Sequence, residues 1–283
     1  VAASFLPGKV PLLWNVRHAI HDLAYEKRLT VWVIRLSAML SNKPVRILYN
    51  AHTAATQHEK LGFCPQKREV IGNGFETEQF VPSREARQAL RQELGLPADA
   101  AVIGLICRYH PMKDHPNFVR AARKLLESHP EAHFVLAGKN VDAGNDALTG
   151  QINGSPGHFH LLGERQDVPR LMAGLDILAS SSYGEGFPNV VGEAMSCGVP
   201  CVVTDVGDSG WVVGDSGLVV PPKDASALAG AWRNLIDMGR EGREEWGQRA
   251  RKRIVSQFSI DRIAGQYGAL YSGLLRETPE ATS

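Results

Sequence analysis

Cysteine is scarce in this sequence. The four present, Cys64, Cys107, Cys197 and Cys201, are scattered among apolar neighbours. Cys197-x3-Cys201 has no second pair at metal spacing, which excludes a disulfide scaffold and a cysteine-zinc module. Buried free thiols in a reducing compartment are expected. Charge of one sign is not in excess either: 31 Lys+Arg stand against 30 Asp+Glu, so the basic footprint of a dedicated nucleic-acid binder is missing. No apolar run reaches the ~20 residues that a membrane span needs, and no secretory leader is visible. A cytoplasmic protein follows as the expectation. No Asp-x-Asp and no histidine cluster offers a divalent cation a seat, so neither metal nor cofactor is expected. A Gly-x-Gly-x-x-Gly turn is also lacking after the strand at residues 101–107, where Arg108-Tyr109-His110-Pro111 stands, and this excludes a dinucleotide-dependent dehydrogenase.

What is present is a glycine-punctuated α/β pattern, with 43% hydrophobic residues and 28 glycines in 283. Short, nearly continuous apolar runs at residues 101–107, 132–138, 158–163, 175–179, 199–205 and 217–222 read as buried parallel strands. Helical spacing intervenes, as at Phe118, Ala121, Ala122, Leu125 and Leu126. Residues 142–157 form a polar, glycine-rich connector of undetermined helicity.

Earlier in the chain, residues 11–16 and 45–50 read as strands. A helix over residues 21–40 carries Tyr25, Leu29, Trp32, Val33, Leu36 and Leu40 as its apolar stripe, packed on a first sheet. Val31 and Ile34 interrupt its basic face. His52 and His58 read as surface or capping residues. A glycine turn near residues 72–74 marks a boundary, and Ser83 is placed to cap the next helix. Three parts result: 1–75, a first Rossmann-like unit; 76–258, a second; and 259–283, a closing helix with Ile263, Tyr267, Leu270, Tyr271 and Leu274 in register, then a loose tail. About 75 residues are fewer than the ~100 typical of a domain, so the first unit is expected to be only partly present.

The richest stretch is residues 180–195, SSSYGEGFPNVVGEAM. An apolar strand precedes it and helical spacing follows, so it reads as strand, glycine loop, helix. Gly184 and Gly186 let the backbone approach a ligand, Pro188 suits a helix start, and the free amides there attract an anion. Glu185 at the loop and Glu193 in the first two helical turns can face one crevice at the carboxyl end of the sheet. Carboxylates repel phosphates, so both are expected on hydroxyl groups to either side of them.

Glu185-x7-Glu193 within this segment is similar to the donor-site signature of family 4 retaining glycosyltransferases. That resemblance implies a GT-B fold, two Rossmann-like doubly wound α/β domains, with Glu185 facing the transferred sugar and Glu193 the ribose hydroxyls. Gly186, Phe187, Pro188, Asn189 and Val190 would line the donor site between them. Arg108 and Lys113, two cations across one turn, are suited to grip a diphosphate and resemble the family's Arg-x4-Lys pair. Asp114 replaces the usual glycine after it and reads as a helix cap. The tip at residues 164–168 resembles the family's base-binding turn, which makes Arg165 and Val168 its candidates, with uracil and guanine both open. Arg17 or His18, at the end of the first strand, occupies the place of a family cation near the leaving phosphate. Ala51 and Gly72 depart from the family's usual Ser and Pro.

The implied activity is transfer of a hexosyl unit from a nucleotide diphosphate sugar to an acceptor hydroxyl, metal-independent and with retention. A glycan or lipid-linked acceptor in surface polysaccharide or glycolipid synthesis, and with it a peripheral membrane contact, follows by analogy. A sugar-nucleotide epimerase and a non-catalytic nucleotide-sugar binding module are the rival readings.

Overall fold

Every strand pairing among the described residues is parallel, as apolar runs without period-two alternation require. The computed structural model describes residues 11–20, 23, 27–155 and 157–277. They divide into two units, the first formed by the described residues up to Gly74 together with those from Ile260 onward, the second by Phe75–Ser259.

The first unit holds β1 (Leu13–Val16), α1 (Arg28–Leu40), β2 (Arg46–Tyr49), α2 (His52–Lys60) and β3 (Arg68–Val70), with strand order β1-β2-β3. The last helix of the chain, Ile260–Glu277, returns to this unit and packs Ile263, Tyr267 and Leu270 against Leu48 and Ile71. Tyr271, expected in that stripe, is 44% exposed, while Leu274 is buried. The tail at residues 278–283 lies outside the described residues.

Helix α1 presents a different face from the one its large side chains suggest. Leu29, Trp32 and Val33 are exposed, whereas Ile34, assigned by pattern to the basic side, is buried. The half-buried residues flanking Ile34 are Thr30, Val31, Ser37 and Ala38, which share its face at i±3 and i±4. Small residues let the helix sit close on its neighbours, and this outweighs the larger apolar area on the other side. Tyr25 and His21 lie outside the described residues. His58 is also corrected: it is buried, edge-on to Phe63 at 4.8 Å, with its Nδ1 2.8 Å from the Ala54 carbonyl. Burial holds its imidazole below the ordinary value.

The second unit contains β4 (Val102–Ile106), β5 (His133–Ala137), β6 (Phe159–Leu161), β7 (Ile177–Ser180), β8 (Cys201–Thr204) and β9 (Leu218–Val220). Their order is β6-β5-β4-β7-β8-β9. The chain therefore steps outward from β4 to β6, then restarts on the other side of β4 with β7. This reversal opens a crevice at the carboxyl ends of β4 and β7, where doubly wound sheets bind ligands.

Helices α3 (Arg84–Leu94), α4 (His115–Leu126), α5 (Asp146–Ile152), α6 (Val168–Ala173), α7 (Asn189–Ser196), α8 (Ser209–Val213), α9 (Ala225–Asp237) and α10 (Gly239–Gln257) complete the unit. Ser83 Oγ accepts from the Ala86 amide at 3.0 Å and starts α3 as its sequence position predicts. The connector at residues 142–157 contains α5, started by Asn145, whose side chain accepts from the Leu148 amide at 3.2 Å. The core centres on Phe118, Phe134 and the fully buried Trp232, with Phe118 edge-on to Trp232 at 5.1 Å. Gly192 in α7 has a packing reason to be glycine: a Cβ there would lie 2.0 Å from the Phe75 ring. Cys197 and Cys201 are buried free thiols, while Cys64 and Cys107 are half-buried.

Three histidines distant in sequence do gather. The His133 ring lies 5.5 Å from that of His158 and 5.4 Å from that of His160. Among the described residues no group of His, Cys, Asp and Glu has the arrangement of a metal centre.

Candidate active site

The loop after β4 is rigidly built before it reaches any ligand. His110 Nδ1 accepts from the Met112 amide at 3.2 Å, which fixes the turn Pro111–Lys113. Asp114 then takes a left-handed φ of 49° and its carboxylate accepts from the Asn117 amide at 3.2 Å, starting α4. Asp is among the few non-glycine residues that tolerate this conformation, so the cap expected of Asp114 and the place of a glycine are combined in one side chain. The loop after β7 is tied to it: the Tyr183 amide donates to the Met112 carbonyl at 2.9 Å, and Ser181 Oγ donates to the Lys113 carbonyl at 2.7 Å.

Across this seam Lys113 Nζ donates to Glu185 Oε1 at 2.5 Å, and Ser182 Oγ donates to the same oxygen at 2.6 Å. The pair is mostly but not wholly enclosed, with the Lys and Glu side chains 22% and 13% exposed. Thr204 Oγ1, from the end of β8, donates to the Ser182 carbonyl at 2.6 Å and so steadies the residue that steadies Glu185. The loop after β8 closes the third side, where the Asp208 amide donates to the Gly186 carbonyl at 2.9 Å. Gly207 has φ 58°, and a Cβ on it would lie 2.5 Å from the Glu185 carbonyl oxygen, so glycine alone fits that approach.

Arg108 is exposed at the same loop. The Cys107 thiol beside it is pushed up to about 12, chiefly by burial, and it senses the charges of Lys113, Glu185 and Arg108 together. His115, under the loop, is held down at about 4 by burial and then by Lys113, so it is neutral at pH 7. Beside these residues a hollow of about 330 Å³ is lined by Tyr109, His110 and Tyr183, and Lys223 Nζ lies 4.6 Å from the Tyr183 ring centre.

Pro188 stands immediately before α7, leaving the amides of Asn189 and Val190 in the first turn. Glu193 is half-buried in the second turn, and burial raises its carboxyl above the ordinary value. Phe187 is buried against Phe75 at 6.0 Å and Trp211 at 5.9 Å, so it is a packing anchor for the loop.

The Arg165 side chain is engaged by carboxylates of its own chain. It pairs with Glu93 at 2.6 Å and Asp167 at 2.7 Å, and Arg170 pairs with the same two carboxylates at 2.7 and 2.6 Å. The two guanidiniums hold the Asp167 carboxyl well below the usual range. Val168 opens α6 and is half-buried. Arg17 and His18 follow β1 in the first unit, and both are exposed.

Sequence reasoning named Glu185, Lys113 and Arg108 but gave no role to Ser182, Thr204 or Tyr183. A signal existed for the first: three consecutive serines end an apolar strand, and all three are buried, which polar side chains avoid unless they have partners.

Residues 100–238 match the family model described as "Glycosyl transferases group 1". Among curated proteins, the chain is 26% identical over 268 residues to the UDP-Gal:alpha-D-GlcNAc-diphosphoundecaprenol alpha-1,3-galactosyltransferase of Escherichia coli, covering 90% of this chain and 68% of that protein. It is 31% identical over 257 residues to the D-inositol 3-phosphate glycosyltransferase of Salinispora arenicola, covering 84% of this chain and 55% of the relative. Among solved structures, Anabaena HepE in complex with UDP superimposes with a TM-score of 0.82 at 26% identity, covering 93% of this chain and 72% of that one. HepE has also been solved in complex with UDP-glucose, at a TM-score of 0.78. The fold is thus the α/β GT-B type; both curated relatives are named as glycosyltransferases, and HepE is solved with UDP and with UDP-glucose.

Proposed function

We propose that this chain, whose residues 100–238 match the glycosyl transferases group 1 family, carries the donor site of a retaining hexosyltransferase. The donor is a nucleoside diphosphate hexose, with uridine the first base to test because HepE is solved with UDP and the Escherichia coli relative is named for UDP-Gal. The acceptor is a hydroxyl on a glycan or a lipid-linked sugar. Among the described residues no helix is long and apolar enough to cross a membrane.

The observation that carries this reading is the contact of Lys113 with Glu185 at the reversal point of the sheet. A cation and a carboxylate held together there supply what a sugar diphosphate presents in sequence, phosphate charge and then hydroxyls. Lys113 and Arg108 take the diphosphate, the first amides of α7 lie beneath it, Glu193 accepts from ribose hydroxyls, and Glu185 accepts from the sugar. In the transfer, the bond from the anomeric carbon to the diphosphate oxygen breaks and a bond to the acceptor oxygen forms on the same face. The acceptor proton passes to the departing diphosphate. Positive charge around that oxygen stabilises the charge developing on it.

The test is a calorimetric titration with UDP, GDP, ADP and the UDP-hexoses, followed by product analysis with and without acceptor. Binding of one nucleotide and acceptor-dependent release of it is the expected result. Sugar interconversion without acceptor would make the protein an epimerase, and binding without any turnover a nucleotide-sugar binding module.

A further inference from the structure

The second unit has another hollow, of about 380 Å³, lined at one side by Arg84 and Arg87 from the start of α3 and at the other by Arg240, Arg243 and Arg251 of α10. Its remaining wall includes Asp176, which directly precedes β7, and residues 197–200, which lead into β8. This is the amino-terminal edge of the sheet, opposite the carboxyl ends where Lys113 and Glu185 meet. Five arginines and two carboxylates, Asp176 and Glu244, line it, which leaves a net charge of +3.

Each carboxylate is already engaged. Asp176 accepts from Arg87 at 3.1 Å, from the buried Arg91 behind the wall and from the Val102 amide at 2.8 Å. Glu244 accepts from Arg240 at 2.7 Å. Among the described residues Arg243 and Arg251 form no ion pair with a carboxylate: Arg243 donates to the Leu235 and Ile236 carbonyls, and Arg251 to those of Thr77, Phe80 and Ser196. Arg243 is only 8% exposed, and its buried Nε has no hydrogen-bond partner among the described residues. A buried cation is costly unless negative charge or acceptors offset it, and carbonyl oxygens alone carry no net charge to do so. The first turns of α3 and α10 both reach the hollow through Arg84 and Arg240, and helix starts favour negative charge.

We infer that this arginine-lined hollow is a second anion site, which takes a phosphate-bearing ligand independently of the donor site. Planar guanidiniums from two helices suit the several oxygens of a phosphomonoester or diphosphate. The same chemistry would come from a free phosphorylated metabolite or from an anionic lipid headgroup. Arg84 and Arg240 are exposed at the rim, so replacing them leaves the carbonyl bonds of Arg243 and Arg251 intact.

The experiment starts from the Arg108→Ala/Lys113→Ala protein, so that the donor-site cations cannot take the anion. Inorganic pyrophosphate at a tenfold excess over its Kd is expected to raise Tm by about 3–6 °C relative to chloride at equal ionic strength. Adding Arg84→Ala and Arg240→Ala should weaken pyrophosphate binding at least about tenfold. Flotation with phosphatidic acid vesicles in phosphatidylcholine identifies the source: arginine-dependent flotation means a headgroup, and a pyrophosphate shift without flotation means a free phosphate. A pyrophosphate shift unchanged by the rim substitutions overturns the inference, as does the absence of both shift and flotation. Failure of the donor-site reading would leave these results untouched.

Discussion

Lys113 and Glu185 lie 72 residues apart in sequence, yet their charged atoms are 2.5 Å apart in the folded chain. Each comes from a loop at the carboxyl end of a different strand, and the two strands are neighbours only because the sheet order reverses between them. In the proposed function, donor binding exchanges this contact for Lys113 on phosphate and Glu185 on sugar hydroxyls. Glu185→Gln keeps the Ser182 partner and the packing but removes the charge. The expected outcome is a kcat at least about tenfold lower with donor Kd little changed, whereas Lys113→Ala and Arg108→Ala raise donor Kd by about ten- to a hundredfold. Steady-state transfer and calorimetry measure both, and unchanged turnover in all three variants would defeat the assignment.

Glu193 makes a sharper test because its proposed partner belongs to the donor. Burial raises this carboxyl above its ordinary value, so the folded chain is poised to gain from hydrogen-bond donors placed against it. Glu193→Ala is expected to weaken UDP binding by about tenfold, and 2′-deoxy-UDP to bind the parent protein less tightly than UDP. The two losses should be less than additive when combined, since both remove one contact. Full additivity in calorimetry would place Glu193 away from the ribose.

The apolar runs at residues 101–107 and 175–179 made the strands around the crevice legible, because a strand buried on both faces leaves no alternation to misread. The charged loops at their ends were legible for the same reason. Helix α1 was not: amphipathic spacing names the larger apolar face, but Ser37 and Ala38 set the buried one, since contact there is decided by how closely two backbones can approach. His58 read as a surface residue because its aromatic partners, Tyr49 and Phe63, come from elements whose juxtaposition no local pattern announces. The ion pair of Arg165 was not legible because Glu93 lies 72 residues away. Long-range ion pairs leave no periodicity in a sequence.

Asp176 joins three parts of the second unit through bonds to Arg87, Arg91 and the Val102 amide. Both it and Arg91 are buried. Asp176→Asn would leave the Arg91 guanidinium without its counter-charge, and burial already holds that group below its ordinary value. A loss of about 3–5 kcal/mol in unfolding free energy is expected, read as a lower urea midpoint with an unchanged slope. Asp176→Ala/Arg91→Met should recover part of it, because removing both charges costs less than stranding one.

Acid should loosen this protein before any carboxylate network is protonated. His58, His115, His133 and His160 are all held below the ordinary histidine value of 6.5, each chiefly by burial. In the unfolded chain these rings take up protons as pH falls through 6.5, while in the folded chain they resist, His115 down to about 4. The unfolded state therefore binds more protons across that window, and stability falls as pH falls. Glu193 acts in the opposite direction: its raised carboxyl binds a proton in the fold above the unfolded value of 4.5, so acid relieves its burial. Four rings oppose one carboxyl, and their window opens first. Urea midpoints should drop steadily from pH 7.5 to 5. His133→Gln/His160→Gln should flatten that slope, because burial makes both rings resist protonation and His133 adds to the resistance of His160; a midpoint independent of pH over this range would show that the rings take up protons equally in the folded and unfolded chain.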